Sequence, residues 1–138
     1  MNWPLVGKLS LFGLAMGVGT VFVIPSNVEP FIWFPIFILC AALIALSGVT
    51  RVFLHGVWIG IANGIWITLC HVIFFSQYAA NHPQEMTAFA SAAINPRLLM
   101  LIVGPAIGVI SGAVLGLFAV VATKILRRPN ALDADPTA

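Results

Sequence analysis

A single histidine lies in the middle of an apolar stretch, and it is the first side chain that could do chemistry. No formally charged residue accompanies His71 between residues 56 and 80. Ionisable groups inside a membrane are rare and often mark a transport path or a ligand site. At 100° per residue, Asn63 and Gln77 fall on the same side of a helix as His71. These three residues, the polar stripe, are candidates for contacting a ligand or a transported species. The structural alternative is a neutral imidazole, hydrogen-bonded to Ser111 or to a backbone carbonyl.

A second pair of chemically active groups, His82 and Glu85, follows this stretch. With Glu29 on the neighbouring turn, an imidazole and two carboxylates could serve acid–base chemistry or bind a cation. The same segment also has the signature of a helix start, because Pro83 takes the first helical position and Glu85 the third. Glu85 could then pair with Arg97. We expect this structural role, no catalytic residue and no enzymatic activity.

Soft metal ligands are present, but their spacing supplies no motif. Cys40, Cys70, His71 and Met16 would suit Cu(I) or Zn as residue types. The sequence contains no Cys-x-x-Cys and no His-x-x-x-His. A bis-histidine haem site is also excluded within one chain, because His55 and His71 lie on one helix about 24 Å apart. We therefore expect no metal and no cofactor.

Composition then defines the elements that must position these residues. Of 138 residues, 61% are hydrophobic and only 7% are charged, whereas soluble domains carry about 25% charged residues. The lipid bilayer must therefore be the main solvent, and long apolar runs without alternation favour helices over a barrel. We predict one domain at residues 1–128, an all-α membrane protein in the form of an antiparallel four-transmembrane-helix bundle. Its predicted elements are membrane helices at about 5–24, 31–50, 56–80 and 98–126, a short outer interfacial helix at about 83–94 between helices 3 and 4, and a disordered cytoplasmic tail at 129–138.

The ends of these stretches predict the orientation and limit the function. Basic residues collect at the cytoplasmic ends of membrane helices, so we expect both termini to lie in the cytoplasm. We expect the membrane to be the plasma (inner) membrane. The first stretch has no small-x-small cleavage site before the PSNVEP turn at residues 25–30 and is expected to be retained as an anchor. A formal net charge of +2 is too small to indicate nucleic acid. No carboxylate falls inside the four apolar stretches, which argues against proton-coupled exchange of cations. The residues behind the orientation are Lys8, Arg51, Lys124, Arg127 and Arg128 on one side, and Arg97 on the other.

Small residues indicate how the helices pack. Glycines four residues apart form a groove into which a neighbouring helix can approach closely. We expect these faces to pack within one chain, and association as a homo-oligomer or within a larger membrane complex is the alternative. The predicted packing positions are Gly104, Gly108, Gly112 and Gly116 on the fourth stretch, Gly56, Gly60 and Gly64 on the third, and Gly13 and Gly17 on the first.

Two functions remain open at this point. The first is a small integral membrane protein without enzymatic activity, whose role is assembly through its glycine faces. The second is a small transporter or channel subunit that acts as an oligomer and uses the polar stripe around His71. A stripe sealed against the glycines of the fourth stretch would favour the first function, and a cavity that reaches His71 would favour the second.

Overall fold

The computed structural model describes residues 1–91 and 94–127, and these residues form helices joined by short links. Four of the helices are long and apolar enough to cross a membrane. The expectation of an all-α membrane protein is thereby confirmed at this level, while the predicted tail at 129–138 lies outside the described residues. The helices are α1 (Trp3–Phe22), α2 (Glu29–Leu46), α3 (Val52–Ile73), α4 (Phe75–Asn81), α5 (Pro83–Ala90) and α6 (Pro96–Leu126), of which α1, α2, α3 and α6 are the four candidate spans.

Asparagine caps set the beginnings of the first and last spans. The Leu5 N–H donates to the Asn2 side chain at 3.1 Å, and the Arg97 N–H donates to the Asn95 side chain at 3.0 Å. Such caps satisfy backbone donors that the first helical turn leaves free. Each helix also has a proline in its first two positions, where the missing N–H costs nothing. The spans therefore begin two residues earlier than their apolar stretches.

The predicted third span, residues 56–80, is wrong as one continuous helix. At Phe74 the backbone adopts φ −100° and ψ 35°, far from the helical ψ of about −42°. The Phe74 N–H still donates to the Cys70 carbonyl at 2.9 Å, so α3 is completed before the chain changes direction. The separate helix α4 follows, and its Asn81 side chain donates to the Val21 carbonyl of α1 at 2.7 Å.

Glycine-to-glycine contact brings α3 and α6 together. A Cβ atom placed on any of three glycines of α3 would meet the backbone of a glycine in α6. No side chain separates the two helices at these points, so their backbones are in direct van der Waals contact. Residue numbers rise along α3 as they fall along α6. The pairs are Gly56 with Gly116, Gly60 with Gly112, and Gly64 with Gly108.

Helix α1 packs on α3 through two of its four glycines, Gly13 and Gly17. The Gly13 N–H donates to Asn63 Oδ1 at 3.0 Å, and a Cβ on Gly13 would lie only 2.5 Å from the Asn63 Cα. A Cβ on Gly17 would lie 3.0 Å from the Ile67 Cα. The close approach lets an amide side chain of α3 bond the backbone of α1.

Helix α2 is held by the other helices at one end only. Its first half exposes Phe31 and Phe34, at 78% and 60% of their surface. At its other end, Arg127 Nε donates to the Ala45 carbonyl at 2.6 Å. One end of α2 is therefore packed, and the other leaves a space beside α3 and α6. Its buried residues are Cys40, Ala41, Ile44 and Ala45, of which the first three cluster with Val6, Leu9, Ile59, Leu115 and Ala119 of α1, α3 and α6.

Candidate functional site

A cavity of about 580 Å³ occupies the space that the first half of α2 leaves beside α3 and α6, and we call it the α2 cavity. Its volume is in the usual range for small-molecule sites, roughly 300–1,000 Å³. Two residues of the polar stripe, Asn63 and His71, line it. The third, Gln77, is exposed on α4 and is not among the lining residues. The break at Phe74 explains this separation, because it interrupts the helical periodicity that aligned Gln77 with His71.

His71 is bonded to α1, and the partner expected from the sequence was wrong. Its Nε2 lies 2.8 Å from Thr20 Oγ1, while the Ser111 hydroxyl donates to the Gly108 carbonyl of its own helix at 3.2 Å. Thr20 Oγ1 is also 2.9 Å from the Met16 carbonyl. A hydroxyl has one proton, so Thr20 donates to its own helix and accepts a bond from His71 Nε2–H. In the neutral ring this assignment leaves Nδ1 as a hydrogen-bond acceptor.

Three rings stack where α3, α4 and α5 meet. The His71 and Tyr78 centroids are 4.0 Å apart at 26° between planes, and those of Tyr78 and His82 are 4.3 Å apart at 10°. His82 is 1% exposed, and its Nδ1 donates to the Tyr78 carbonyl at 3.2 Å. Its Nε2 is buried without a hydrogen-bond partner among the described residues. The outer-loop candidate His82 is thus part of a packed stack with Tyr78 and His71.

Tyr78 reports the electrostatics of this end of the cavity. Burial raises the pKa of its hydroxyl to about 12, and the negative charges of Glu85 and Glu29 act in the same direction. Both effects disfavour the tyrosinate form. The negative charges of Glu85 and Glu29 therefore both act on the Tyr78 hydroxyl.

Sequence reasoning placed Glu29 on a turn near His82 and Glu85, and it did not predict that Glu29 shares a cavity with Asn63 and His71. Glu29 precedes the predicted apolar stretch at 31–50, whereas in the structure it is the first residue of α2, one of the four candidate spans. Its side chain lines the α2 cavity, and its Oε1 accepts a hydrogen bond from Trp33 Nε1 at 3.0 Å. An acidic residue followed by Pro30 is a helix-start signal, whereas the sequence reading assigned this segment to a turn.

Glu85 and Arg97, the other polar groups at this end, lie outside the cavity lining. Glu85 is in the first turn of α5. The Arg97 guanidinium lies over the ring of Phe75, 4.9 Å from its centroid, in a cation–π arrangement. The described contact of the Arg97 guanidinium is therefore with an aromatic face rather than with the expected partner Glu85.

The proposed soft-metal ligands are not brought together. Cys40 lies in the cluster at the packed end of α2, and Cys70 lies in a second cluster with Val21 and Met100. His55 uses both ring nitrogens structurally: Nδ1 donates to the Arg51 carbonyl at 2.8 Å, and Nε2 accepts from the Asn2 N–H at 3.0 Å. In residues 1–91 and 94–127, no group of three or more His, Cys, Asp or Glu side chains could hold a metal ion.

No protein-family model, curated protein or solved structure matches the chain. Four apolar helices long enough to cross a bilayer indicate an integral membrane protein. Its α2 cavity combines many apolar lining side chains with a few polar ones. Such a lining can hold a molecule with an apolar body and a small polar group. The polar lining residues are Glu29, Asn63, Thr68, His71, Tyr78 and Ser111.

Proposed function

We propose that this chain is a non-enzymatic integral membrane protein that binds a small amphipathic molecule in the α2 cavity. In this proposal the four spans form an antiparallel bundle in the plasma membrane. Both termini face the cytoplasm, and α4 and α5 lie at the outer surface, with α5 as the short interfacial helix. The basic residues at the ends of the spans support this orientation.

The glycine contacts support assembly within one chain. Three glycines of α6, at positions 108, 112 and 116, face α3 of the same molecule. The fourth, Gly104, faces Thr68, because a Cβ placed on it would lie 3.1 Å from the Thr68 Cβ. A second copy would have to displace α3 to use this face. The glycine row of α6 therefore favours internal packing over formation of a homo-oligomer through the same surface.

The observation that carries the binding proposal is the cavity beside this glycine contact. Gly64, Gly104 and Gly108 belong both to the α3–α6 contact and to the lining of this cavity. Asn63 uses its carbonyl oxygen to accept from Gly13, which leaves its two amide protons as donors for a ligand. An acceptor group on the ligand would meet these donors, and its apolar body would contact the remaining walls.

A transporter or channel subunit is the second candidate, and it is favoured by the reach of the cavity as far as His71. A binding protein holds the molecule, whereas a transporter releases it on the other side of the membrane. Reconstituted vesicles loaded with a bound probe would distinguish them. Release that requires the protein and is lost in a cavity-filling variant supports transport, whereas binding without release supports the first candidate.

Binding itself can be measured through Trp33, which lines the cavity. Replacing Trp3, Trp58 and Trp66 with phenylalanine leaves Trp33 as the single tryptophan. The protein is placed in phosphatidylcholine nanodiscs and titrated with decanol that carries a terminal bromine, which quenches tryptophan fluorescence on contact. Binding predicts quenching that saturates, in addition to the linear quenching caused by partition into lipid.

Matched variants distinguish quenching by probe in the cavity from quenching by probe dissolved in the lipid. Ser111→Phe places a ring in the cavity lining, whereas Ile110→Phe changes a neighbouring side chain that is 66% exposed. Saturable quenching should disappear in the first variant and persist in the second. Val114→Phe, also in the lining, provides an independent way to fill the space. Purely linear quenching that is equal in all variants would overturn the proposal.

A further inference from the structure

We infer that the preferred ligand of the α2 cavity is a lipophilic cation, such as an alkylammonium ion with an apolar chain. This inference rests on the proposed binding function and specifies the charge of the ligand. Two features of the lining carry it: a carboxylate without a cationic partner in the lining, and a set of aromatic rings in the same lining.

The formal charge of the described lining residues is negative. Among the described residues that line the α2 cavity, Glu29 is the only one with a formal charge. Its Oε1 accepts one hydrogen bond from Trp33, whereas a carboxylate can accept about four. Acceptor capacity therefore remains for an ammonium group. An anionic ligand would meet this carboxylate in a site without a lysine or arginine to balance it.

Aromatic rings supply the second attraction. The negative face of an aromatic ring attracts organic cations, and sites that bind quaternary ammonium groups are built from several such rings. Phenylalanine and tryptophan rings alone would also accept neutral apolar molecules, so the rings add a small preference for a cation and Glu29 adds the larger part. The rings in the lining are Trp33, Phe34, Phe37, Tyr78, Phe89 and Phe118.

Two carboxylates act on Tyr78, which lines this cavity. The pKa of Tyr78 is raised first by burial and further by Glu85 and Glu29, so both carboxylates act on the same ring. The nearby cation Arg97 lies over Phe75 and is not a lining residue. The ring of His71 donates one bond to Thr20 and stacks on Tyr78, so in its neutral form it adds no positive charge.

The test compares three bromine-terminated probes of equal chain length: decyltrimethylammonium, decanol and decanoate. Each is titrated into the single-Trp33 protein in phosphatidylcholine nanodiscs, and concentrations are expressed per lipid so that bilayer partition cancels. The cation should bind about tenfold more tightly than the alcohol, and the anion about tenfold more weakly than the alcohol. Equal saturable binding of cation and alcohol would overturn the inference and leave the binding function standing. Absence of saturable binding for all three probes would overturn both.

Glu29→Gln isolates the carboxylate while preserving an acceptor for Trp33. We expect the preference for the cation over the alcohol to fall to about threefold, the part due to the aromatic rings. Glu85→Gln removes the same charge outside the lining and should change the preference much less. If the two variants reduce the preference equally, the selectivity comes from the general surface charge, and a site centred on Glu29 is refuted.

Discussion

Replacing Gly112 with alanine is expected to destabilise the protein strongly for so small a change. Gly112 lies in the contact between α3 and α6, and a Cβ placed on it would be 2.6 Å from the Val57 carbonyl oxygen and 3.0 Å from the Val57 Cα. Both atoms belong to the backbone of α3, which cannot rotate away as a side chain could. The two helices must therefore separate.

The structure gives the size of that separation. Ordinary van der Waals contact begins at 3.4 Å, so the helices must move apart by the difference from 2.6 Å, about 0.8 Å. A gap of this size removes roughly a quarter to a half of the dispersion energy of each contact. Overpacking in well-packed interiors typically costs about 1–3 kcal/mol. We expect Gly112→Ala to lower the free energy of unfolding by about 2 kcal/mol, and leucine at this position to cost more.

Gly7→Ala is the matched control, because a Cβ on Gly7 would have no atom within 4 Å. A thiol-reactive fluorescent dye can follow thermal unfolding, since Cys40 and Cys70 are both buried and become reactive only when the helices separate. Gly7→Ala should melt close to the parent protein, and Gly112→Ala well below it. Identical melting of the two variants would refute direct backbone contact at Gly112.

Dilution provides a second check on the same substitution. A contact within one chain gives a stability difference that is independent of protein concentration, whereas a contact between copies weakens on dilution. We expect the difference between Gly112→Ala and Gly7→Ala to stay constant across a wide range of protein-to-detergent ratios. A difference that disappears on dilution would assign the glycine row to an interface between molecules.

Two further predictions concern the ring stack. His71→Leu removes the bond to Thr20 and should cost about 1 kcal/mol in the dye assay, because hydrogen bonds between membrane helices contribute about 0.6–1.7 kcal/mol; loss of decanol binding with folding intact would assign His71 to the binding site. Tyr78 is the only tyrosine in the sequence, so tyrosinate absorbance reports it alone, and its alkaline titration should have a midpoint near pH 12. Because the unfolded chain releases this proton near pH 10, the free energy of unfolding should fall between about pH 10 and 12. A midpoint near 10 in the folded protein would contradict the buried position of Tyr78.

The spans could be predicted because their signals are local. Apolar runs of about 20 residues can be recognised without knowledge of the packing. The four-residue spacing of Gly104 to Gly116 marks a face on any helix, and the facing glycines of α3 lie opposite it in the structure. Likewise, Pro83 and Glu85 predicted the beginning of α5 from capping chemistry alone.

The helix break at Phe74, the partner of His71 and the cavity depended on interactions between helices, which cannot be read from the sequence. Phe74 breaks α3 from α4 without a proline or glycine, so no residue type marked the end of the helix. The partner of His71 proved to be Thr20, on a helix 51 residues away in sequence. Cavity formation depended on the packing of α2 at one end only, and a helix with apolar residues on all sides gives no signal of which part is buried.

The contact between α3 and α6 also has a consequence for how the chain is made. Gly64 and its partner Gly108 are separated by 44 positions in the sequence, which a ribosome takes about 2–9 s to synthesise at 5–20 residues per second. During that interval α3 has been produced and its partner has not. Its bare glycine face and Asn63 must then be shielded by α1, by lipid or by the insertion machinery. Premature termination before residue 96 would leave this face permanently uncovered, and such a truncated chain should be a preferred substrate for membrane quality-control proteases.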